Sequence, residues 1–196
     1  MYRLFVAIDL PPDIAARLQG LCYGLPGARW VQAEQMHLTL RFIGEVDGGA
    51  FLDIKEGLAG IKAPPFALQV KELGFFPPRK TPRVLWAGIA PVEQVSGLRK
   101  RIDNVLLGMG LAPEGRKFSP HITLARLHDT PLARLSRFLA GNGLFATEAF
   151  PVSEFHLYSS ELTSKGAFHT IEASYPLLNS YSLGESLFSC LALQIV

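Results

Sequence analysis

A short apolar strand with a histidine and a threonine on one face occurs twice in this chain, and it constrains the fold more than any other feature. The first copy, HLTL, runs from His37 to Leu40, and the second, HITL, runs from His121 to Leu124. Successive side chains of a strand point to opposite faces, so each histidine shares a face with the threonine two residues later. Each strand is therefore predicted to bury one face and to present an imidazole beside a hydroxyl on the other.

The composition is that of a globular protein. The chain has 196 residues, of which 48% are hydrophobic and 18% charged, so it can bury a sizeable core and is not intrinsically disordered. A formal net charge of +2 is too small for a protein that coats nucleic acid through general electrostatic attraction. Any preference for phosphate must therefore come from a local site. Cys22 and Cys190 lie far apart without metal-type spacing, and both are predicted to be free thiols.

Hydrophobic periodicity predicts a chain of mixed helices and strands. The predicted strands cover residues 3–10, 37–44, 66–74, 84–89, 150–159 and 167–175, together with the segment that begins at His121. The predicted helices cover residues 14–23, 50–61, 92–109 and 131–139. No apolar run reaches the roughly 20 residues of a transmembrane helix, and the N-terminus lacks a secretory signal pattern. We therefore expect a cytoplasmic protein that does not associate with a membrane.

The two histidine strands lie at comparable places in the two halves of the chain, which indicates an approximate internal duplication. Because neither half could cover its sheet alone, we expect one bilobal domain over residues 1–178. Its fold class would be α+β, with two pseudo-symmetric lobes, each an antiparallel sheet with outer helices, around a central cleft. Residues 179–196 form a tail to which the sequence assigns no role.

Five segments give the chain a specific resemblance. They are RLFVAIDLP, HLTLRFIGEV, FSPHITLAR, LGFFPPRKTPRVLWAGI, and FHLYSSEL with the later FHT. In these the chain resembles the two-histidine (2H) phosphoesterase superfamily, and within it the bacterial and archaeal RNA 2′,3′-cyclic phosphodiesterases, also described as 2′-5′ RNA ligases. The resemblance implies hydrolysis of RNA 2′,3′-cyclic phosphate ends to 2′-phosphomonoesters. It also implies an enzyme that needs neither metal nor cofactor. Its partner would be RNA or a related nucleotide, and it would be a monomer.

The resemblance also implies roles for individual residues. His37 would donate a proton to the departing O3′, and His121 would accept a proton from the attacking water. Thr39, Thr123 and Arg126 would contact the phosphate oxygens. Imidazole suits the first two roles because its unperturbed pKa, near 6.5, lets it act as acid or base near neutral pH. The residues alone do not distinguish the acid from the base.

Strand parity raises a question about two arginines. Strict alternation would turn Arg126 to the face opposite His121, so its proposed role requires that the strand end, twist or bulge near Ala125. Arg41 shares its parity with His37, yet the resemblance gives it no role.

The remaining histidines and one basic segment have less specific interpretations. His128, His156 and His169 are interpreted as structural histidines. Arg79, Lys80 and Arg83 are predicted to be either a solvated loop or a contact with the RNA backbone.

Two other functions stay open at this point. The same site could join RNA ends into a 2′-5′ linkage, with a ribose hydroxyl in place of water, or the cleft could bind nucleotides without turnover. Comparing hydrolysis with joining on one RNA would distinguish the ligase from the hydrolase. Tight nucleotide binding without turnover would support the non-catalytic alternative.

Overall fold

A computed structural model describes residues 1–78, 80–163 and 166–178, and these contain nine strands and four α-helices. The strands are β1 (Tyr2–Asp9), β2 (Ala28–Trp30), β3 (His37–Val46), β4 (Phe66–Phe76), β5 (Val84–Ala90), β6 (His121–Leu127), β7 (Phe150–Val152), β8 (Glu154–Thr163) and β9 (Gly166–Pro176). The helices are α1 (Pro12–Gln19), α2 (Gly48–Ala59), α3 (Val92–Gly108) and α4 (Leu132–Gly141), and a 3₁₀ turn spans Ala33–Gln35. The predicted α+β class is confirmed.

The strands form one continuous antiparallel path in the order β7-β4-β5-β6-β3-β1-β8-β9, with β2 paired to β6. The first lobe consists of β3, β1, β8 and β9, and the second consists of β7, β4, β5 and β6. The two lobes meet where β3 pairs with β6, through the single residue pair Leu38 and Ile122. Each lobe draws strands from both halves of the chain, so the halves interlock.

The segment predicted as one strand over residues 150–159 is two strands in different lobes. Phe150 in β7 pairs with Leu68 in β4, whereas His156 in β8 pairs with Ala7 in β1. The chain therefore crosses between the lobes at Ser153. Pro151, which has no amide hydrogen to donate to a ladder, lies in β7 at the edge of the sheet, where that loss matters least.

One face of the sheet packs under the helices and the other lines the cleft. On β1, the side chains of Leu4, Val6 and Ile8 join the main hydrophobic core. Phe5 and Ala7, on the alternate face, form a small separate apolar cluster with Tyr158 of β8. This second cluster lies beneath the histidine strand of the first lobe. Among the described helices, none has the length and apolarity needed to cross a bilayer.

A bulge interrupts the alternation of β6 just after its threonine. Trp86 of β5 pairs with Thr123, but the preceding residue, Leu85, pairs with Ala125, so Leu124 is left unpaired as the extra residue. Both Leu124 and Ala125 are buried as a result, and the alternation restarts one residue later. The bulge required by the sequence argument is therefore present at that position.

Strand β3 has an equivalent bulge. Ala7 of β1 pairs with Thr39, whereas Val6 pairs with Arg41, which leaves Leu40 as the extra residue. Leu40 and Arg41 are both buried, and the next residue, Phe42, is exposed. The two lobes thus repeat the same local irregularity at the same distance from their histidines.

Candidate active site

The pairing between β3 and β6 brings the two motifs side by side. Because Leu38 pairs with Ile122 in an antiparallel ladder, His37 lies across from Thr123, and Thr39 lies across from His121. Side chains directly opposite each other in such a ladder are about 5 Å apart at Cβ, and diagonal neighbours such as the two histidines are about 7–8 Å apart. The two imidazoles and two hydroxyls therefore form a compact array on the cleft face.

Both histidines are held in the same tautomer. The Nδ1–H of His37 donates to the carbonyl of Gln35 at 2.8 Å, and the Nδ1–H of His121 donates to the carbonyl of Ser119 at 2.7 Å. A carbonyl oxygen can only accept, so the hydrogen of each ring resides on Nδ1. Each Nε2 is then a base when the ring is neutral and an acid when the ring is protonated.

Aromatic rings support both imidazoles. The centroid of the buried Phe5 ring lies 5.0 Å from that of His37, with a tilt of 30°. In the second lobe, Phe76 contacts His121 edge-on at 5.0 Å, and Trp86 lies 6.4 Å from the same ring. These contacts, with the Nδ1 bonds, restrict the rotation of the two side chains.

The site favours neutral imidazoles in the free protein. Burial lowers the pKa of His37 to about 4. The neighbouring His169 lowers this pKa further, whereas the carboxylate of Asp9 raises it. Burial also lowers the pKa of His121, and the positive charge of Arg126 acts in the same direction. Both rings are therefore uncharged at neutral pH before a ligand binds.

A cavity of about 760 Å³ opens beside this array, and its described lining includes His37 and both threonines but not His121. Its wall contains His37, Thr39, Thr123 and Arg126, so the structure brings these four predicted residues together. Other polar or aromatic residues of the same wall are Arg3, Arg29, Gln32, Gln35, Phe42 and His169. We call it the cationic cavity, because its lining has arginines and, among the described residues, no carboxylate.

Arg41 does not reach the cleft, although strict alternation would place it beside Thr39. The bulge turns it to the other face, where it is only 5% exposed. Its guanidinium pairs with Asp103 at 3.3 Å and with Glu114 at 3.5 Å. Arg99 pairs with the same two carboxylates, at 3.2 Å each. This cluster ties β3 to α3 and to the segment that leads to His121.

The basic loop connects β4 to β5, whose first residue, Val84, pairs with Arg126. Lys80 and Arg83 are exposed, and neither lines the cationic cavity. Arg79 lies outside the described residues, as does the tail from residue 179 onward. A contact between this loop and RNA stays a prediction.

The remaining histidines have three different environments. His156 is buried and its Nδ1 lies 2.9 Å from the Ser174 hydroxyl, in agreement with a structural role. The side chain of His128 is 90% exposed, and its Nδ1 lies 2.9 Å from a carboxylate oxygen of Asp129. His169 stands edge-on to His37, with ring centroids 5.6 Å apart, and lines the cavity.

Sequence reasoning therefore missed His169 as a residue of the site. Only the FHT segment pointed to it, and that segment contains a single histidine without a second copy.

A second cavity, of about 810 Å³, adjoins the first on the other side of His37 and His169. Its wall includes the carboxylates of Asp9 and Glu34 and the rings of Tyr158 and Phe168. We call it the acidic cavity. The hydroxyl of Tyr158 donates to Asp9 at 2.5 Å, and burial together with this bond raises the pKa of that hydroxyl.

No group of three or more His, Cys, Asp or Glu side chains lies in position to hold a metal ion within the part of the chain that the structure describes.

The comparison with protein families finds one model that matches most of the chain. It describes the LigT-like phosphoesterases and matches residues 8–86 and 89–169. Each of the two matched segments contains one histidine strand.

Curated relatives carry a consistent description. An RNA 2′,3′-cyclic phosphodiesterase of Aeropyrum pernix is 35% identical over 148 residues, which is 74% of this chain and 84% of that protein. One from Thermotoga maritima is 33% identical over 175 residues, covering 86% of this chain and 92% of that protein.

Solved structures agree with the sequence comparisons. Protein TT0787 of Thermus thermophilus is 29% identical, with a TM-score of 0.70 over 91% of this chain and 100% of that one. E. coli LigT in complex with 3′-AMP is 25% identical, with a TM-score of 0.74 over 91% of this chain and 99% of that one.

Proposed function

The chain belongs to the LigT-like phosphoesterase family, and from that premise we propose that it hydrolyses RNA 2′,3′-cyclic phosphate ends to 2′-phosphomonoesters without a metal ion. The relatives described as RNA 2′,3′-cyclic phosphodiesterases support the substrate class. The observation that carries the chemistry is the pairing of Leu38 with Ile122, because it places two imidazoles with the same tautomer on one cleft face.

The reaction needs a base on one side of the phosphorus and an acid on the other. Nε2 of His121 takes a proton from water as the water oxygen attacks phosphorus. The bond from phosphorus to O3′ breaks, and O3′ takes the proton carried by Nε2 of His37. The product has a phosphate on O2′ and a hydroxyl at C3′, and the two histidines have exchanged protonation states.

The charges around the two rings support this assignment of acid and base. Asp9 favours the protonated form of His37, whereas Arg126 favours the neutral form of His121. The phosphodiester anion, once bound between the rings, raises both pKa values because a nearby negative charge stabilises imidazolium. Because burial lowers the pKa of His37 to about 4 in the free protein, we infer that the bound anion, with Asp9, stabilises the imidazolium that donates the proton.

The phosphate charge is met by donors of this chain. The hydroxyls of Thr39 and Thr123 and the guanidinium of Arg126 line the same cavity as His37. Hydrogen bonds from such groups to the equatorial oxygens stabilise the charge of the transition state, and arginine can bind two oxygens at once. These donors, with the protonated His37, are the groups we propose in place of a metal ion.

We also infer that residues 1–178 act as one catalytic domain. Each lobe contains strands from both halves of the chain, and the paired motifs come from different halves. A half-length fragment would present one histidine strand without its partner.

The proposal is tested by incubating the purified protein with an RNA oligonucleotide that ends in a 2′,3′-cyclic phosphate, with and without EDTA. Phosphorus NMR separates a 2′-phosphomonoester from a 3′-phosphomonoester, and we expect the 2′ product at equal rates in both conditions. Loss of turnover in EDTA, with recovery on adding a divalent ion, would contradict metal independence. A second RNA with a 5′-hydroxyl in the same reaction measures joining against hydrolysis.

A further inference from the structure

Two cavities of opposite charge meet at His37. The cationic and acidic cavities share His37, His169, Gln32 and Gln35 as a common wall. The cationic cavity has three arginines, whereas the acidic cavity has Asp9 and Glu34 and, among the residues described there, neither arginine nor lysine. A ligand with its phosphorus beside His37 can therefore extend to either side, into very different electrostatic surroundings.

The charge difference determines which part of an RNA end fits each cavity. An RNA chain carries one negative charge per nucleotide, and exposed carboxylates within about 8 Å of a phosphate repel it even at physiological salt. Phosphates of the preceding nucleotides therefore favour the side of Arg3 and Arg126. The terminal ribose and base carry no charge beyond the cyclic phosphate itself, so Asp9 and Glu34 do not repel them.

The acidic cavity also has the lining that a nucleobase needs. Apart from its two carboxylates, its wall is largely apolar, with Leu10, Pro12, Met36 and Ile171. Phe168 belongs to the same wall, and it is 61% exposed and so accessible to a ligand. It lies on β9 next to His169, which contacts the ring of His37. An exposed aromatic ring beside a phosphate site is a suitable platform for base stacking.

We propose that the acidic cavity binds the terminal nucleoside of the substrate, with its base stacked on Phe168, while the preceding phosphates follow the cationic cavity. This inference rests on the proposed function, because it takes the cyclic phosphate to lie between His37 and His121. It makes Phe168 a determinant of affinity for every substrate, and makes Arg3 more important for longer RNA than for a mononucleotide.

The first experiment measures KM for a nucleoside 2′,3′-cyclic phosphate. Phe168→Ala should raise KM about 5- to 100-fold, the range for loss of one stacked base, with a much smaller change in kcat. Phe168→Leu, which keeps apolar bulk without a ring, should behave like the alanine variant, and Phe168→Trp should restore affinity. Tyr23→Ala is the matched control, because Tyr23 is 73% exposed and lines neither cavity.

The second experiment compares this mononucleotide with a tetranucleotide that ends in the same cyclic phosphate. Arg3→Gln should raise KM for the tetranucleotide by more than it raises KM for the mononucleotide. The extra effect should shrink as salt is increased, since it comes from phosphate contacts.

The outcomes separate the inference from the proposed function. If the wild-type protein turns over neither substrate, the proposed function fails and the inference fails with it. If the wild type is active, thermal melting shows the variants folded, and both Phe168→Ala and Phe168→Leu leave KM unchanged, the terminal nucleoside lies elsewhere. An equal effect of Arg3→Gln on both substrates would place the nucleoside in the cationic cavity and overturn the inference alone.

Discussion

Arg126 in the second lobe and Phe42 in the first occupy equivalent positions, five residues after His121 and His37 respectively. Each follows a bulge that reverses the strand alternation, and both side chains line the cationic cavity. The backbones of the two lobes are therefore similar here while their chemistry differs. One histidine has a cation in its strand at this position and the other has an apolar ring, so the two imidazoles are electrostatically inequivalent.

The first prediction concerns the two histidines. His37→Ala and His121→Ala should each lower kcat about 10²- to 10⁴-fold on a cyclic-phosphate substrate, because each removes a general acid or base. Both variants should keep the wild-type circular dichroism spectrum. His128→Ala is the matched control, since its side chain is exposed and lines neither cavity. Wild-type turnover by either variant would exclude that histidine from the chemistry.

The second prediction is a pH profile. Activity requires one imidazole protonated and the other neutral, and kcat/KM reports the pKa values of the free enzyme. Since burial lowers the pKa of His37 to about 4 and also lowers the pKa of His121, both limbs of the bell should fall below pH 6.5. The kcat profile should lie at higher pH, because a bound phosphate anion stabilises imidazolium. Limbs of kcat/KM above pH 6.5 would contradict the lowered pKa values.

The third prediction tests the consequence of the bulge in β6. Arg126→Ala should lower kcat/KM by about 10²- to 10³-fold, the cost of removing one donor to a charged transition state. Arg126→Lys should recover only part of the activity, because an ammonium lacks the planar two-point geometry of guanidinium. Arg137→Ala, an exposed residue on α4, is the control. Full activity in Arg126→Ala would remove this arginine from the site.

The fourth prediction concerns stability. Arg41→Ala should lower the free energy of unfolding by about 3–5 kcal/mol, because it removes one member of a largely buried charge cluster and leaves Asp103 and Glu114 with Arg99 alone. Chemical denaturation measures the change, with the exposed Arg101→Ala on the same helix as control. A change below about 1 kcal/mol would indicate an arginine exposed in the cleft, as strict alternation predicts.

The sequence predicts the parts of the fold that depend on periodicity. Alternation correctly puts His37 with Thr39 and His121 with Thr123, because the two strands are regular over those residues. Helices α2 and α3 begin and end within about two residues of their predicted bounds, since apolar spacing and flanking glycine or proline mark them.

Other features depend on pairing that a single sequence does not encode locally. The bulge at Leu40 depends on the register between β1 and β3. Counting alternate residues from His37 therefore puts Arg41 on the wrong face of the strand. The split at Ser153 follows from which strand each side finds as a partner, and its local trace in the sequence is the change of apolar parity between Val152 and Phe155. The proximity of His169 to His37 is likewise a tertiary contact between β9 and β3.

The narrow junction between β3 and β6 has a consequence for how this protein acquires activity during synthesis. The ribosome completes β3 long before β6, and the first histidine has no hydroxyl across from it until the later strand docks. A shift of that docking by one residue would turn one whole motif towards the interior. The two motifs are therefore brought together only late in assembly, once β6 has docked in register, and a nascent or misregistered chain presents one histidine strand without its partner.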